Sequence, residues 1–141
     1  MNGICYVAQF PEQQITYSTA LQYMERAQKK GNTLSYDILS GYFNNGEYPV
    51  SRLTPLDLKV LTLGSSVTEE TKLVILDEPT WGIDREGMAV LLDVLARTAE
   101  RLHEESLLII SHDMELMVRL GAELLRIDGG RINKAEGRRD A

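Results

Sequence analysis

Two short runs of consecutive apolar residues mark the second half of the chain. The first covers Leu73 to Leu76 and the second covers Leu107 to Ile110, and polar residues follow each run directly. Uninterrupted apolar runs of this length are typical of strands buried on both faces, which occur mostly in parallel sheets flanked by helices. We therefore predict two strands of a parallel sheet in an α/β domain.

The segment between the two runs predicts the connecting helix. From Asp84 to Glu105, apolar residues recur at helical spacing. They are Met88, Leu91, Leu92, Leu95, Ala99 and Leu102. A strand–helix–strand crossover is right-handed and brings both strand ends to one edge of the sheet, beyond which ligands bind in open α/β sheets. We therefore expect Asp77 and Glu78, after the first strand, and His112, after the second, to face one crevice.

Each of these polar groups also has a simpler explanation. Asp77 can cap the following helix and Glu78 can be a solvated loop charge, since carboxylates are common at helix N-termini. A single histidine after a strand, such as His112, is more often structural than catalytic. Their joint occurrence at the ends of two successive strands favours a chemical site. Pro79 ends the first strand directly after the acid pair, so the two carboxylates can serve as a metal ligand and a base.

The remaining pattern predicts further helices and one hairpin. Helical spacing extends from Ile15 to about Lys30, where Gly31 and Asn32 end the helix, and a helix-like stretch covers Leu58 to Val67. Asp128-Gly129-Gly130 supplies the turn residues of a β-hairpin near the end.

Several motifs occur in an order that resembles the ATP-binding-cassette (ABC) ATPases. Tyr6 to Gln14 resembles the Q-loop, Leu73 to Glu78 the Walker B strand, Pro79 to Asp84 the D-loop and Ser111 to Asp113 the switch histidine segment. Glu123 to Ile132 resembles the closing hairpin of these domains. The resemblance is to the C-terminal part of an ABC ATPase subunit. It implies a partial P-loop NTPase fold, mainly a parallel sheet with flanking helices plus a small helical subdomain.

The resemblance also implies a domain organisation. Residues 1–14 would be the Q-loop strand of the core, and residues 15–66 the helical subdomain that touches a membrane partner. Residues 67–132 would form the core with Walker B, D-loop and switch histidine, and residues 133–141 a tail.

Catalytic roles follow from the resemblance alone. Asp77 would hold Mg²⁺ through water, and Gln9 would complete the metal and water shell. Glu78 would polarise the attacking water, and His112 would contact the γ-phosphate of ATP. ATP and Mg²⁺ are the cofactors expected of this family.

The dimer-facing residues implied by the resemblance are Asp84, which would cross the dimer interface, and Thr54. The family signature Leu-Ser-Gly-Gly-Gln/Glu is represented here by Leu53-Thr-Pro-Leu-Asp57. Thr54 keeps the hydroxyl, but Pro55 has no N–H for a phosphate and Leu56 crowds the approach that glycine allows. We expect a weak composite site, although Pro55 equally suits the first turn of a helix.

The chain has no phosphate-binding loop of the form Gly-x-x-x-x-Gly-Lys-[Ser/Thr], and a Q-loop at Gln9 leaves no room for one upstream. Gly41 to Gly46 has the glycine spacing, but Glu47 and Tyr48 follow it, so we predict a loop there. We expect the isolated chain not to hydrolyse ATP. The sheet strands lacking from this length would leave an apolar edge exposed. We therefore expect a fragment, the product of a truncated or split gene, or a chain whose edge is covered by another subunit or by domain exchange between two copies.

Two functions therefore remain open. The chain can be the C-terminal portion of a working ABC transporter ATPase, or a non-catalytic ABC-like module that pairs with another ATPase or a transporter subunit. The segment Gln9-Phe-Pro-Glu-Gln and the aromatic Trp81 are most similar to ATPases of energy-coupling-factor importers for vitamins or for cobalt and nickel.

Composition narrows the partners. A net charge of −6 argues against a general nucleic-acid surface, and no apolar run approaches the length of a membrane span. One cysteine, Cys5, argues against a disulfide framework and suits a reducing compartment. We expect a cytoplasmic protein, peripheral at the inner face of the cell membrane when bound to a transmembrane transporter subunit.

Overall fold

A computed structural model of the protein describes residues 3–102, 106–120 and 123–134. The chain divides into two compact units, residues 1–111 and 112–141. Within the described part of the first unit, three strands form a sheet: β1 (Ile4–Val7), β2 (Leu73–Asp77) and β3 (Ser106–Ile110). Four α-helices accompany them in that part: α1 (Ala20–Lys29), α2 (Thr33–Phe43), α3 (Pro55–Ser66) and α4 (Arg85–Arg101). Two short 3₁₀ helices are Pro11–Gln14 and Val50–Arg52.

The sheet is parallel throughout and has the order β1-β2-β3. In register, Tyr6 of β1 lies beside Ile75 of β2, and Asp77 at the end of β2 lies beside Ile110 of β3. The prediction of a parallel α/β sheet is confirmed, and the two predicted apolar runs are adjacent strands. Their carboxyl ends are level because the crossover through α4 returns the chain in the same direction.

The two faces of the sheet are unequally covered. On one face, Cys5, Val7, Val74 and Leu76 are buried. Helix α3 packs against this face, and the Cys5 thiol donates a weak bond of 3.9 Å to the carbonyl oxygen of Leu63. The other face is apolar and open in the described part of the chain. Its most exposed side chains are Ile4, Tyr6, Leu108 and Ile110.

The helical region is held together by caps and close packing. A capping box starts α1, in which the Thr19 hydroxyl accepts from the Gln22 N–H and the Gln22 side chain accepts from the Thr19 N–H. Asn32 caps α2 and donates its side-chain amide to the carbonyl of Val67, just beyond α3. Helices α1, α2 and α3 bury a common apolar core that includes Leu34, Leu39 and Leu61.

Three predicted elements differ from the structure. Helix α1 begins at Ala20 and not near Ile15, because the side chain of Thr19 caps the helix there. The segment from Gly41 to Gly46 is not wholly a loop, because Gly41 to Phe43 form the last turn of α2. Packing of α2 between α1 and α3 overrides the low helix propensity of glycine. Helix α4 starts after Asp84, as expected, but ends at Arg101, which forms an ion pair with Asp37 of α2. The remaining predicted residues 103–105 lie outside the described residues.

The second unit contains a short helix, α5 (Met114–Leu120), and a hairpin of β4 (Leu125–Asp128) and β5 (Arg131–Lys134). The hairpin turns through Gly129 and Gly130, both with positive φ, as the turn residues predict. The side chain of Asp113 caps α5 by accepting from the Leu116 N–H at 3.1 Å. None of the helices that the structure describes is long and apolar enough to cross a membrane.

Burial makes the single cysteine a probe of folding. Cys5 has no exposed surface, and desolvation raises the pKa of its thiol to about 12. Because thiolate is the reactive form, we expect the native chain to react with a disulfide reagent at least about 100-fold more slowly than the urea-unfolded chain. Comparable rates in the two states would contradict the buried position of Cys5 in β1.

Candidate functional site

The acid pair lies at the carboxyl end of the middle strand. Asp77 is the last residue of β2, and Glu78 follows with φ of 46°. A left-handed conformation is uncommon for a residue with a side chain and costs about 1–2 kcal/mol, so the surrounding structure must hold it. Part of that hold is a hydrogen bond of 2.7 Å from the Glu78 N–H to the carbonyl of Ile110 in β3.

Asp77 has a partner that the sequence did not reveal. The hydroxyl of Tyr6 in β1 donates to Oδ2 of Asp77 at 2.9 Å. The strand register explains the contact, since Tyr6 lies beside Ile75 and Asp77 is two residues further on the same face. The hydrogen bond to the Asp77 carboxylate holds the pKa of the Tyr6 hydroxyl above its ordinary value. This bond orients the carboxylate at the rim of the open apolar face.

The Q-loop is folded back onto its own strand. The side chain of Gln14 accepts from the Ala8 N–H at 2.9 Å and donates to the carbonyl of Tyr6 at 3.0 Å. In these two bonds the Gln14 side chain pairs with the backbone at the end of β1 as a neighbouring strand would. They hold the loop that carries Gln9 in place. Gln9 itself is half-buried and lines a cleft of about 380 Å³ together with Glu12, Leu58 and Trp81.

The D-loop is packed between the Q-loop and helix α3. The ring of Trp81 meets the ring of Phe10 edge to face, with centroids 4.9 Å apart. The ammonium of Lys59 in α3 donates to the carbonyl oxygens of Pro79 at 2.7 Å and Trp81 at 2.5 Å. At its end, Asp84 accepts from the Gly87 N–H at 2.7 Å and caps α4.

The signature position is used to begin α3. The hydroxyl of Thr54 accepts from the Asp57 N–H at 3.2 Å, and Asp57 accepts from the Thr54 N–H at 3.0 Å. Asp57 also accepts from the hydroxyl of Tyr42 at 2.7 Å, which contributes to raising the pKa of Tyr42 after the larger effect of desolvation. Pro55 is the first residue of the helix, as the alternative interpretation predicts.

The structure thus places Asp77 and Glu78 at the end of β2, Asp84 at the start of α4 and Gln9 in the segment after β1, all in the first unit. Thr54 lies at the start of α3 in that unit, and His112 is the first residue of the second unit. That His112 faces the same crevice as Asp77 and Glu78 therefore stays a prediction. No group of three or more metal-ligating side chains occurs among the residues that the structure describes. The single carboxylate of Asp77 fits Mg²⁺, because proteins usually hold this ion through one or two carboxylates together with water and substrate phosphates.

Two residues of the site, Tyr6 and Lys59, were not predicted from the sequence. Tyr6 gave no signal, since a tyrosine in a strand is ordinary. Lys59 did give one, as the one charged residue between Leu58 and Gly64 in a helix whose other residues there are mostly apolar. A lysine in such a helix interior requires acceptors for its hydrogens.

Replacing Lys59 with methionine should remove a pH dependence of stability. Desolvation lowers the pKa of Lys59 from 10.5 to about 8, although the charge of Glu12 opposes this. Unfolding therefore binds a proton between these two pH values, and the free energy of unfolding should rise with pH in that window. Urea unfolding of wild type, Lys59→Met and the exposed-lysine control Lys72→Met measures this difference. Parallel curves for wild type and Lys59→Met would contradict it.

Comparison with known sequences finds ABC transporter ATP-binding proteins. A Bacillus anthracis protein with that description is 28% identical over 138 residues, which is 92% of this chain and 24% of the relative. The chain spans about a quarter of the length of the first curated relatives that it matches. No protein-family model matches the chain.

Solved structures agree in fold. CbiO1 from Clostridium perfringens, described as part of the ABC transporter complex cbiONQ, superposes with a TM-score of 0.77 at 22% identity, covering 94% of this chain and 56% of that one. An ATP-binding cassette solved as a dimer with ADP and phosphate superposes with a TM-score of 0.67 at 16% identity, covering 96% of this chain and 64% of that one. By sequence the chain is therefore a relative of ABC transporter ATP-binding proteins, and its fold is that of part of an ABC ATPase domain.

Proposed function

We propose that the chain forms the C-terminal portion of an ABC transporter ATP-binding subunit, in which Asp77 and Glu78 contribute to ATP hydrolysis. The observation that carries this proposal is the placement of the acid pair. Asp77 ends the middle strand of a parallel sheet at its ligand-binding edge, and Glu78 follows in a conformation that the neighbouring strand holds. Strained backbone of this kind is typical of functional sites.

The roles of the residues follow from charge and position. Mg²⁺ bound to ATP would supply charge neutralisation of the phosphates. Asp77 would hold it through water, with Gln9 in the same shell, and Glu78 would orient the attacking water and accept its proton. His112 would contact the γ-phosphate and Asp84 would reach across a dimer interface. In such a reaction the protein acts by positioning and electrostatic stabilisation.

The phosphates have to be held by a segment that this sequence does not contain. The open apolar face of the sheet, with Ile4, Tyr6, Leu108 and Ile110, supports this, because parallel sheets are stable with both faces covered. We propose that another polypeptide segment with the loop Gly-x-x-x-x-Gly-Lys-[Ser/Thr] covers this face. It would belong to another ATPase polypeptide, since a second copy of this sequence lacks the loop, and it would bring ATP to Asp77.

The membrane partner is proposed from the cleft beside the Q-loop. Its lining is mostly apolar and includes Pro11, Val50, Leu53 and Trp81. We propose that a transmembrane transporter subunit docks there, which would place the chain at the inner face of the cell membrane. The Phe-Pro-Glu-Gln form of the Q-loop and the D-loop Trp81 favour an importer of the energy-coupling-factor type, and the fold of CbiO1 is consistent with it.

A second candidate is a non-catalytic ABC-like interaction module. It is favoured by the signature position, where the Thr54 hydroxyl already accepts from the Asp57 N–H and Pro55 has no N–H to offer. A phosphate arriving there would lack a backbone donor at Pro55 and would find the Asp57 N–H already donating to Thr54.

Nucleotide binding tests the proposed function. Isothermal titration of the isolated chain with ATP and Mg²⁺ should show no binding at micromolar concentrations. Adding a polypeptide that carries the phosphate-binding loop should produce binding and turnover. Micromolar binding by the isolated chain would overturn the requirement for a second segment. A mixture that binds the chain but shows no turnover above that of the added polypeptide alone would support the interaction module instead.

A further inference from the structure

Lys59 is a buried cation that the proposed chemistry does not use. Only 1% of its surface is exposed, and it lies on α3 among Leu58, Val60 and Leu61. A buried ammonium is unfavourable unless acceptors satisfy its hydrogens. Its two acceptors are backbone carbonyls of one loop, the D-loop, at Pro79 and Trp81. Bonds to backbone atoms fix the course of the loop whatever its side chains are.

The same face of α3 makes a second contact with the D-loop. Pro55 lies four residues before Lys59, so both residues are on one side of the helix. A Cβ atom added to Gly82 would lie 3.1 Å from both Cβ and Cγ of Pro55. The D-loop backbone at Gly82, with φ of +72°, therefore passes directly over the proline ring. One helix face thus holds the loop at two points.

The loop's own backbone bonds shape its turn but do not tie it to the helix. The Trp81 N–H donates to the carbonyl of Glu78 at 3.3 Å, and the Ile83 N–H donates to the carbonyl of Thr80 at 3.1 Å. Both bonds join residues between Glu78 and Ile83, and neither reaches α3. The ring of Trp81 is half exposed and contacts Phe10 of the Q-loop. Attachment to α3 therefore depends on Lys59 and Pro55.

We infer that Lys59 is a positioning residue that fastens the D-loop to α3, so that the loop moves with this helix. The loop begins directly after Glu78 and ends at Asp84, so its attachment also sets where these two carboxylates can lie. This inference rests on the proposed function for its effect on ATP hydrolysis. The attachment itself is independent of hydrolysis and is tested without it.

The single tryptophan of the chain makes the attachment measurable, because Trp81 is one of the two bonded residues. Lys59→Met keeps the apolar stem and removes the donors. We expect the acrylamide quenching constant of Trp81 to increase about two-fold in this variant, because the loop opens locally while the far-ultraviolet circular dichroism is unchanged. A folded Lys59→Met chain with wild-type quenching would overturn the inference.

Two control variants separate attachment from general effects. Thr62→Val removes a buried hydroxyl that bonds to the carbonyl of Leu58 within α3 and does not involve the loop. Lys72→Met removes an exposed lysine charge. Both should retain wild-type quenching of Trp81. If Thr62→Val raised quenching as much as Lys59→Met does, weakening of α3 would account for the signal and the inference would fail.

A measurement on the wild-type chain covers the case in which Lys59→Met does not fold. In protein labelled with ¹⁵N-lysine, one of the five lysine ammonium groups should show slow hydrogen exchange with water, because only a buried, bonded group is protected. Fast exchange of all five would overturn the inference. Neither result depends on whether the chain takes part in ATP hydrolysis.

Discussion

Replacing Glu78 with glutamine should lower ATP turnover by about 100-fold or more in the proposed ATPase of this chain and a phosphate-loop segment, while ATP binding is kept. Glutamine retains the size and hydrogen-bonding reach of the side chain but cannot accept a proton from water. The backbone should stay in place, because the Glu78 N–H bonds to Ile110 in the neighbouring strand at 2.7 Å. Turnover measured by phosphate release, beside binding measured by titration, separates the two effects.

A matched control is available on α4. Glu86→Gln removes one carboxylate charge from an exposed position in the first turn of that helix. Its turnover should remain within about two-fold of wild type, since exposed charges away from a site contribute little. If Glu78→Gln also left turnover unchanged, Glu78 would have no catalytic role in the assembly. The non-catalytic interaction module would then be the better description of this chain.

Replacing Gly46 with alanine should destabilise the chain by about 2–4 kcal/mol. Gly46 has φ of +70°, and an added Cβ would lie 2.7 Å from the backbone nitrogen of Leu21 and 2.8 Å from Sδ of Met24. The sulfur can move, but the nitrogen cannot move freely, because the Leu21 N–H donates to the carbonyl of Gly46 at 2.8 Å. Relieving the clash therefore weakens the bond that holds the start of α1 against the loop.

The same substitution at Gly41 should change the free energy of unfolding in the opposite direction. It lies in the last turn of α2, and an added Cβ would have no atom within 4 Å. Gly41→Ala should stabilise the chain by about 0.5–1 kcal/mol, because alanine favours the helix more than glycine does. Urea unfolding followed by circular dichroism measures both variants. A Gly46→Ala chain as stable as Gly41→Ala would show that the close approach to Leu21 is absent in solution.

Strands β2 and β3 and the helix between them were predictable because their signals are local. The apolar runs of β2 and β3 and the helical spacing of α4 each lie within a few turns of chain, and the structure has them within a few residues. Helix α2 was not predicted, because Gly41 and Gly46 have the spacing of a glycine-rich loop. Contacts with α1 and α3, which are distant in sequence, determine that this segment is helical.

The candidate site was predictable in its residues and not in its contacts. Asp77 and Glu78 follow from the end of an apolar run, whereas the bond from Tyr6 to Asp77 depends on the register between two strands that are far apart in sequence. The bonds from Lys59 depend on how α3 packs against the D-loop. Such contacts between distant segments are set by tertiary packing, for which a single sequence carries no direct signal.

The unequal covering of the sheet has a consequence for how this sequence can diverge. Side chains of the buried face in β1, such as Cys5 and Val7, lie in the strand that packs against α3, so residues of the same gene product constrain their substitution. Side chains of the open face, such as Ile4 and Leu108, are not constrained by α3. Their substitution depends on the polypeptide that covers this face. Correlated substitutions at Ile4 and Leu108 across genomes can therefore identify the covering polypeptide, even where another gene encodes it.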